Sequence, residues 1–215
     1  MKYTSVIFDL DGTLLNTLED LAASTNYALS SCGMPVRTVD EVRNFVGNGI
    51  KMLMIRAVPD GESNPRFEEA FANFKKHYGE NCRNVTRAYE GVPEMLAELK
   101  KQGIGTAIVS NKADFAVKEL RDAFFPDIEV AIGEREGVSR KPAPDTVFTA
   151  VKELGTDIGS AVYVGDSDVD IMTAKNAGIP CISVCWGFRS REFLVEHGAS
   201  QIVSNTAELM KMLSD

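Results

Sequence analysis

The sequence predicts an α/β protein: a doubly wound parallel sheet with a Rossmann-like core and an inserted helical cap domain. Three observations carry this. From residue 104 onward, short apolar runs alternate with segments of helical period, which implies a parallel sheet covered by helices on both faces. Between about 17 and 81 the helical period continues with no strand pattern to interrupt it. Acidic and polar residues recur where the apolar runs end, and in an open parallel sheet the crevice beyond the carboxyl ends of the strands is where ligands bind.

Taken in order, Val6-Ile7-Phe8 reads as a strand that gives way to Asp9-Leu10-Asp11-Gly12-Thr13. Leu18, Leu21, Ala22, Thr25, Ala28, Leu29 and Cys32 then recur at three- and four-residue spacing, and Gly33 with Pro35 ends that helix. Further helical segments are expected at 39–45, 50–57 and 65–78, which makes a small bundle. The remainder reads as strands 104–109, 128–132, 161–165 and 180–184, with helices 113–123, 144–154, 169–177 and 206–213. The expected division is a catalytic core of 1–15 and 83–215 with a cap of 16–82. A cap inserted directly after the Asp9–Asp11 loop can roof a site there.

Composition narrows the function. The 215 residues are 44% hydrophobic and 25% charged, ordinary for a globular protein, and they are enough for one sizeable core plus a smaller unit. Lys and Arg number 23 against 31 Asp and Glu, a net charge of -8, and such a field disfavours nucleic acid and anionic membrane surfaces as partners. It repels a phosphate substrate too, so positive potential has to be supplied locally. No apolar stretch approaches the ~20 residues of a membrane span, and Met-Lys-Tyr runs into a strand without a signal-peptide core; a cytoplasmic protein is expected. Cys32, Cys82, Cys181 and Cys185 lack zinc-site spacing, and with two His in the chain they read as reduced thiols.

Asp9 and Asp11 sit two residues apart at a strand end, so they start out facing the same side. Two anions held so close require either a proton or a cation between them, and a hard ion such as Mg2+ suits carboxylate oxygens. An Asp-Gly pair alone also fits a hairpin turn. A second acidic cluster, Gly165-Asp166-Ser167-Asp168-Val169-Asp170, follows the apolar run 161–164. Between the two lie Ser110-Asn111, at the end of the run 104–109, and the basic loop Arg140-Lys141-Pro142-Ala143-Pro144-Asp145. Placed on one sheet edge, these four signals converge on one site.

In this order and strand context the four motifs resemble those of the haloacid dehalogenase superfamily, over essentially the whole chain. Asp9 to Leu15, Val46-Gly47-Asn48-Gly49, Lys141 to Asp145 and Trp186-Gly187-Phe188-Arg189 are similar to its phosphoglycolate phosphatase group; Asn16 departs from it, where many relatives carry Asp. The resemblance implies a Mg2+-dependent phosphatase acting on a small phosphorylated metabolite such as 2-phosphoglycolate. It implies Asp9 as nucleophile, Asp11 as acid and base, and Ser110, Asn111, Lys141 and the loop around Gly12 and Thr13 as phosphoryl contacts. Asp9, Asp166 and the Asp11 backbone carbonyl would hold the metal, with Asp170 orienting a metal water or Lys141. Asp168 reads as a helix N-cap or first-turn acid. Gly47, Asn48 and Gly49 are expected either to reach the substrate from the cap or to form a plain inter-helix turn. Phosphomutase, inorganic pyrophosphatase and a non-catalytic phosphate- or metal-binding regulator are the alternatives, and either a monomer or a homodimer is expected.

Rival motifs fail on spacing. Gly47-Asn48-Gly49 has Met52 where a dinucleotide fingerprint needs Gly. A calcium loop at Asp166 has Ile171 in place of Gly and Ala177 in place of the terminal Glu. The nucleophile-elbow pattern around Ser167 breaks at Val169.

Overall fold

A computed structural model describes residues 2–215. The chain divides into two compact units, one of residues 1–15 and 88–215 and the other of residues 16–87.

The first unit is built on six strands: β1 (Ser5–Phe8), β4 (Gly105–Ala113), β5 (Val130–Glu134), β6 (Ala161–Gly165), β7 (Cys181–Val184) and β8 (Ile202–Val203). Every pairing between them is parallel and the spatial order is β5-β4-β1-β6-β7-β8. Counted along this unit alone, that is the doubly wound order 3-2-1-4-5-6, whose switch point lies between β1 and β6. Asp9 and Asp166 are the residues that follow those two strands.

Strand alternation sorts side chains onto two faces. Val6, Phe8, Ile108, Val162 and Val164 pack with Leu96 and Leu99 of α5 (Val92–Lys101), Val117 and Leu120 of α6 (Asp114–Phe124), and Leu209 and Leu213 of α10 (Thr206–Ser214). Ile7, Ala107, Val109 and Tyr163 pack on the opposite face with Val147 and Val151 of α7 (Asp145–Glu153) and Ala174 and Ala177 of α8 (Asp168–Ala177). Phe8, Ile7 and Tyr163 are fully buried, and each such side chain contributes about 1.5–3 kcal/mol on burial. An exposed ion pair such as Lys100–Asp127, 2.6 Å apart with both side chains more than half exposed, adds about 0–1 kcal/mol. The two apolar layers therefore hold the sheet.

The second unit contains α1 (Leu18–Ser31), α2 (Val39–Phe45), α3 (Gly49–Ala57) and α4 (Phe67–Asn81), as the helical period predicts. Leu21, Ala28 and Leu29 of α1, Val42 of α2, Leu53 and Met54 of α3, and Phe67 and Phe74 of α4 are buried. Thr38 caps α2 in a reciprocal box with Glu41. The chain crosses between units within the short paired strands β2 (Leu15–Asn16) and β3 (Arg87–Ala88). The expected division fell after residue 82. The described one falls after Arg87, because the buried Asp20 carboxylate accepts the Val85 amide (3.1 Å), the Thr86 amide (2.9 Å) and the Thr86 hydroxyl (2.8 Å).

Several elements escape the sequence pattern. Helix α5 was not expected, and Pro93 stands in its first turn, where a missing N–H costs nothing. Helix α9 (Arg191–Glu196) and strands β2, β3 and β8 are too short for periodicity to register. Strand β4 runs on through Ser110 and Asn111 to Ala113, where an end at Val109 was expected, and its register against β5 shifts between Val109 and Ala113.

Candidate active site

The Asp9 amide extends the β1–β6 ladder by donating to the Val164 carbonyl (2.9 Å), which fixes where its side chain leaves the sheet. One carboxylate oxygen, Oδ1, accepts the Leu10 amide (2.7 Å) and lies 3.0 Å from Lys141 Nζ. The same ammonium is 2.8 Å from Asp170 Oδ1 and donates to the Tyr163 hydroxyl at 3.0 Å; that hydroxyl in turn donates to the Val109 carbonyl (3.1 Å). Lys141 is held from behind as well: its amide donates to Asn111 Oδ1 (2.8 Å) and its carbonyl accepts from Asn111 Nδ2 (3.1 Å).

Asp170 occupies the third position of α8. Its second oxygen, Oδ2, accepts the Ser167 amide (3.1 Å) and hydroxyl (2.6 Å), closing a capping box. Ser167 is therefore the cap, and Asp168 is the first residue of the helix, its acidic charge near the positive end of the helix dipole. Asp166 accepts the Thr13 hydroxyl (3.3 Å) on Oδ1 and the Phe188 amide (2.7 Å) on Oδ2, while Trp186 Nε1 donates to the Thr13 carbonyl (3.0 Å).

Asp9, Asp166 and Asp170 each present a carboxylate oxygen such that all three lie within 4.8 Å of one another. Asp9 is 8%, Asp166 2% and Asp170 0% exposed, so three buried carboxyl groups crowd one spot. Burial, with the charges of Asp170 and Asp11 added, raises the Asp9 carboxyl to about 7 against the pull of Lys141. Burial and the charges of Asp170 and Asp9 push the Asp166 carboxyl well above the usual carboxylate range. Burial alone would lower the Lys141 ammonium, but Asp170 and Asp9 hold it well above the ordinary lysine value. An all-oxygen, anionic donor set of this kind fits a hard divalent cation.

Several expected contacts take other directions. The side chain of Asp11 lies outside the three-carboxylate cluster and pairs with Lys112, its Oδ1 2.8 Å from Lys112 Nζ. Thr13, expected to touch substrate, donates its hydroxyl to Asp166 Oδ1 at 3.3 Å. The amides of Leu10, Gly12 and Thr13 are committed to Asp9 Oδ1, the Leu15 carbonyl and the Leu10 carbonyl, because the turn satisfies itself. Ser110 is 4% exposed and its hydroxyl oxygen accepts the Lys112 amide at 3.3 Å. In the second unit, Gly47 and Gly49 both have positive φ (126° and 81°), and Asn48 Oδ1 accepts from Arg56 Nη2 (2.8 Å). Lys112 and Tyr163 were missed. The signal for each is a polar group within an apolar strand, which is costly unless it has a partner.

Comparison with known proteins agrees with this geometry. The chain matches the family model of haloacid dehalogenase-like hydrolases over residues 6–184. It is 32% identical over 215 residues to phosphoglycolate phosphatase 1 of Pseudomonas aeruginosa, covering 95% of this chain and 78% of that protein. It is 31% identical over 216 residues to the N-acetylmuramic acid 6-phosphate phosphatase of the same organism, covering 99% and 96%. A crystal structure from Lactobacillus delbrueckii subsp. bulgaricus, provisionally described as a phosphoglycolate phosphatase, superposes with a TM-score of 0.94 at 35% identity over 99% of each chain. A match that begins in β1 and ends in β7 spans every strand that carries an acid or a lysine of the site, and the chain belongs to the haloacid dehalogenase-like hydrolases, as a phosphatase.

Proposed function

We propose that the protein is a Mg2+-dependent phosphatase that hydrolyses a small phosphorylated metabolite through an aspartyl-phosphate on Asp9. The observation that carries this reading is the placement of Asp9. It follows the central strand at the switch point, with one oxygen against Lys141 and its carboxylate clustered with Asp166 and Asp170. Asp9, Asp166 and the Asp11 backbone carbonyl would hold the cation, with Asp170 beside them orienting Lys141, and the cation would supply charge neutralisation for the carboxylates and the phosphoryl group.

The steps on the chain's own residues follow. The Asp9 carboxylate attacks phosphorus as the bond to the leaving oxygen breaks, and Asp11 delivers a proton to that oxygen. Asp11 then takes a proton from the water that attacks the phosphoryl group, and Asp9 returns to a carboxylate as phosphate departs. Lys141 presents its charge beside the attacking group; unit charges ~4 Å apart are worth about 4 kcal/mol at an effective dielectric near 20. Asn111 and Tyr163 keep that charge in place. Residues 16–87 act as the specificity cap, with Gly47 to Gly49 as the contact to the leaving group. The four cysteines are thiols, which suits the reducing interior of a cell.

The glycolate and muramic acid relatives stand at near-equal identity. The first substrate to assay is 2-phosphoglycolate, and a sugar 6-phosphate is the second. Phosphate release should be measured for both, and for pyrophosphate, with Mg2+ and after EDTA. Turnover of a monoester is expected only with metal, and Asp9→Asn should abolish it while the fold persists. Hydrolysis that survives in metal-free enzyme, or in Asp9→Asn at a tenth of the wild-type rate or more, would overturn the reading.

A further inference from the structure

Three consecutive polar residues near the end of β4, Ser110, Asn111 and Lys112, are buried to 4–6% exposure. A break in register puts them there. Between the pair Val109–Ile132 and the pair Ala113–Glu134, β4 contains these three residues where β5 contains only Gly133. A bulge of this kind re-aims side chains. Gly133 is what allows it to close, since a Cβ there would lie 2.5 Å from Asp114 Cα and 2.6 Å from the Lys112 carbonyl oxygen. Asn111 is turned onto the backbone of Lys141. Lys112 is turned onto Asp11, with its side chain 2% exposed and that of Asp11 15% exposed.

A buried ammonium–carboxylate pair is a poor source of stability, because the cost of dehydrating both charges offsets most of their attraction and an apolar pair serves as well. Here the pair joins a strand terminus to the loop that carries Asp9, and its carboxylate is the more exposed partner. We propose that Lys112 is the positioning residue for Asp11: its ammonium fixes one carboxylate oxygen so that the other meets the leaving-group oxygen. This rests on the acid and base role given to Asp11 above. Lys112 keeps its protons throughout, and only Asp11 exchanges one with the leaving group and the water.

The test is a double-mutant cycle of Lys112→Met and Asp11→Asn in the full-length protein with Mg2+. It is run on an alkyl ester, 2-phosphoglycolate, and on an aryl phosphate with an acidic phenol as leaving group. Lys112→Met should lower kcat on the alkyl ester by at least about tenfold with little change in KM, and should cost much less on the aryl phosphate, whose leaving group needs little protonation. Lys112→Arg should restore most of the loss. The double variant should be no slower than Asp11→Asn alone. If Lys112→Met does not fold, by circular dichroism, Lys112→Gln completes the same cycle. Independent losses that multiply in the double variant, or equal losses on both esters, would overturn the role of Lys112 and leave that of Asp11 standing. Should Asp11→Asn itself retain the wild-type kcat on the alkyl ester, the acid assignment falls, and the proposal with it.

Discussion

At Lys141 a single ammonium answers two buried carboxylates, at 3.0 Å from Asp9 and 2.8 Å from Asp170. Lys141→Met would strand both anions, and breaking a buried pair by removing one partner costs about 3–5 kcal/mol. Urea denaturation should show a loss of that size, with turnover below detection. Adding Asp170→Asn to that variant should recover part of the stability, since it removes one of the stranded charges; no recovery would place the loss elsewhere. Most of the acids were legible in the sequence because their clusters follow apolar runs, and Lys141 because it stands in a basic, proline-punctuated loop ahead of a helical pattern. The partners were not. Which way Thr13 and Asn111 point depends on Asp166 and on the Lys141 backbone, 153 and 30 residues away in the chain.

Among the elements, α6 shows how an end is tied to the sheet. Asp114, its first residue, accepts the Gly133 amide of β5 (2.9 Å) and the Lys118 ammonium (2.6 Å). Partial burial opposes ionisation, yet the hydrogen bonds from Lys118 and Gly133 prevail and hold the carboxyl below its usual 3.8. With the folded value depressed, this group's stabilisation is present above the unfolded value and is lost as pH falls through the folded one. Asp114→Asn should therefore be less stable than wild type at neutral pH, and the gap in urea midpoint should narrow below about pH 3.8. A constant gap would show that the charge contributes nothing. In the second unit, Gly49 opens α3 at φ 81°, a conformation that costs a side-chain-bearing residue about 1–2 kcal/mol. Provided it folds, Gly49→Val is expected to lower kcat/KM for the native ester far more than for acetyl phosphate. Equal losses would make the Gly47 to Gly49 segment an ordinary turn.

For the whole molecule, a net charge of -8 gives no general attraction for an anionic substrate, and the site adds Asp9, Asp11, Asp166 and Asp170 against Lys112 and Lys141. A divalent cation bound there would relieve that excess in the folded state alone. Mg2+ at about one hundred times its Kd should stabilise the fold by about 2.7 kcal/mol, read as a rise in Tm over the EDTA-treated protein. Asp166→Asn should abolish the rise while leaving the metal-free protein at least as stable, since a buried anion is gone. An undiminished rise in that variant would remove Asp166 from the metal site.

The sequence by itself determined the fold class and the helical character of residues 17–81, because periodicity is local: the alternation that lines both faces of the sheet is written in consecutive residues. It also set Asp9, Ser110 and Asp166 at the ends of apolar runs, since strand ends can be read from where such runs stop. Only the tertiary structure decided that β4 continues past Val109 and bulges opposite Gly133, because a bulge is a relation between two strands and neither sequence alone contains it. That bulge gives Asp11 its lysine. The acceptors of the Leu10, Gly12 and Thr13 amides, Asp9 Oδ1 and the Leu15 and Leu10 carbonyls, were likewise fixed by the three-dimensional closure of the turn after β1.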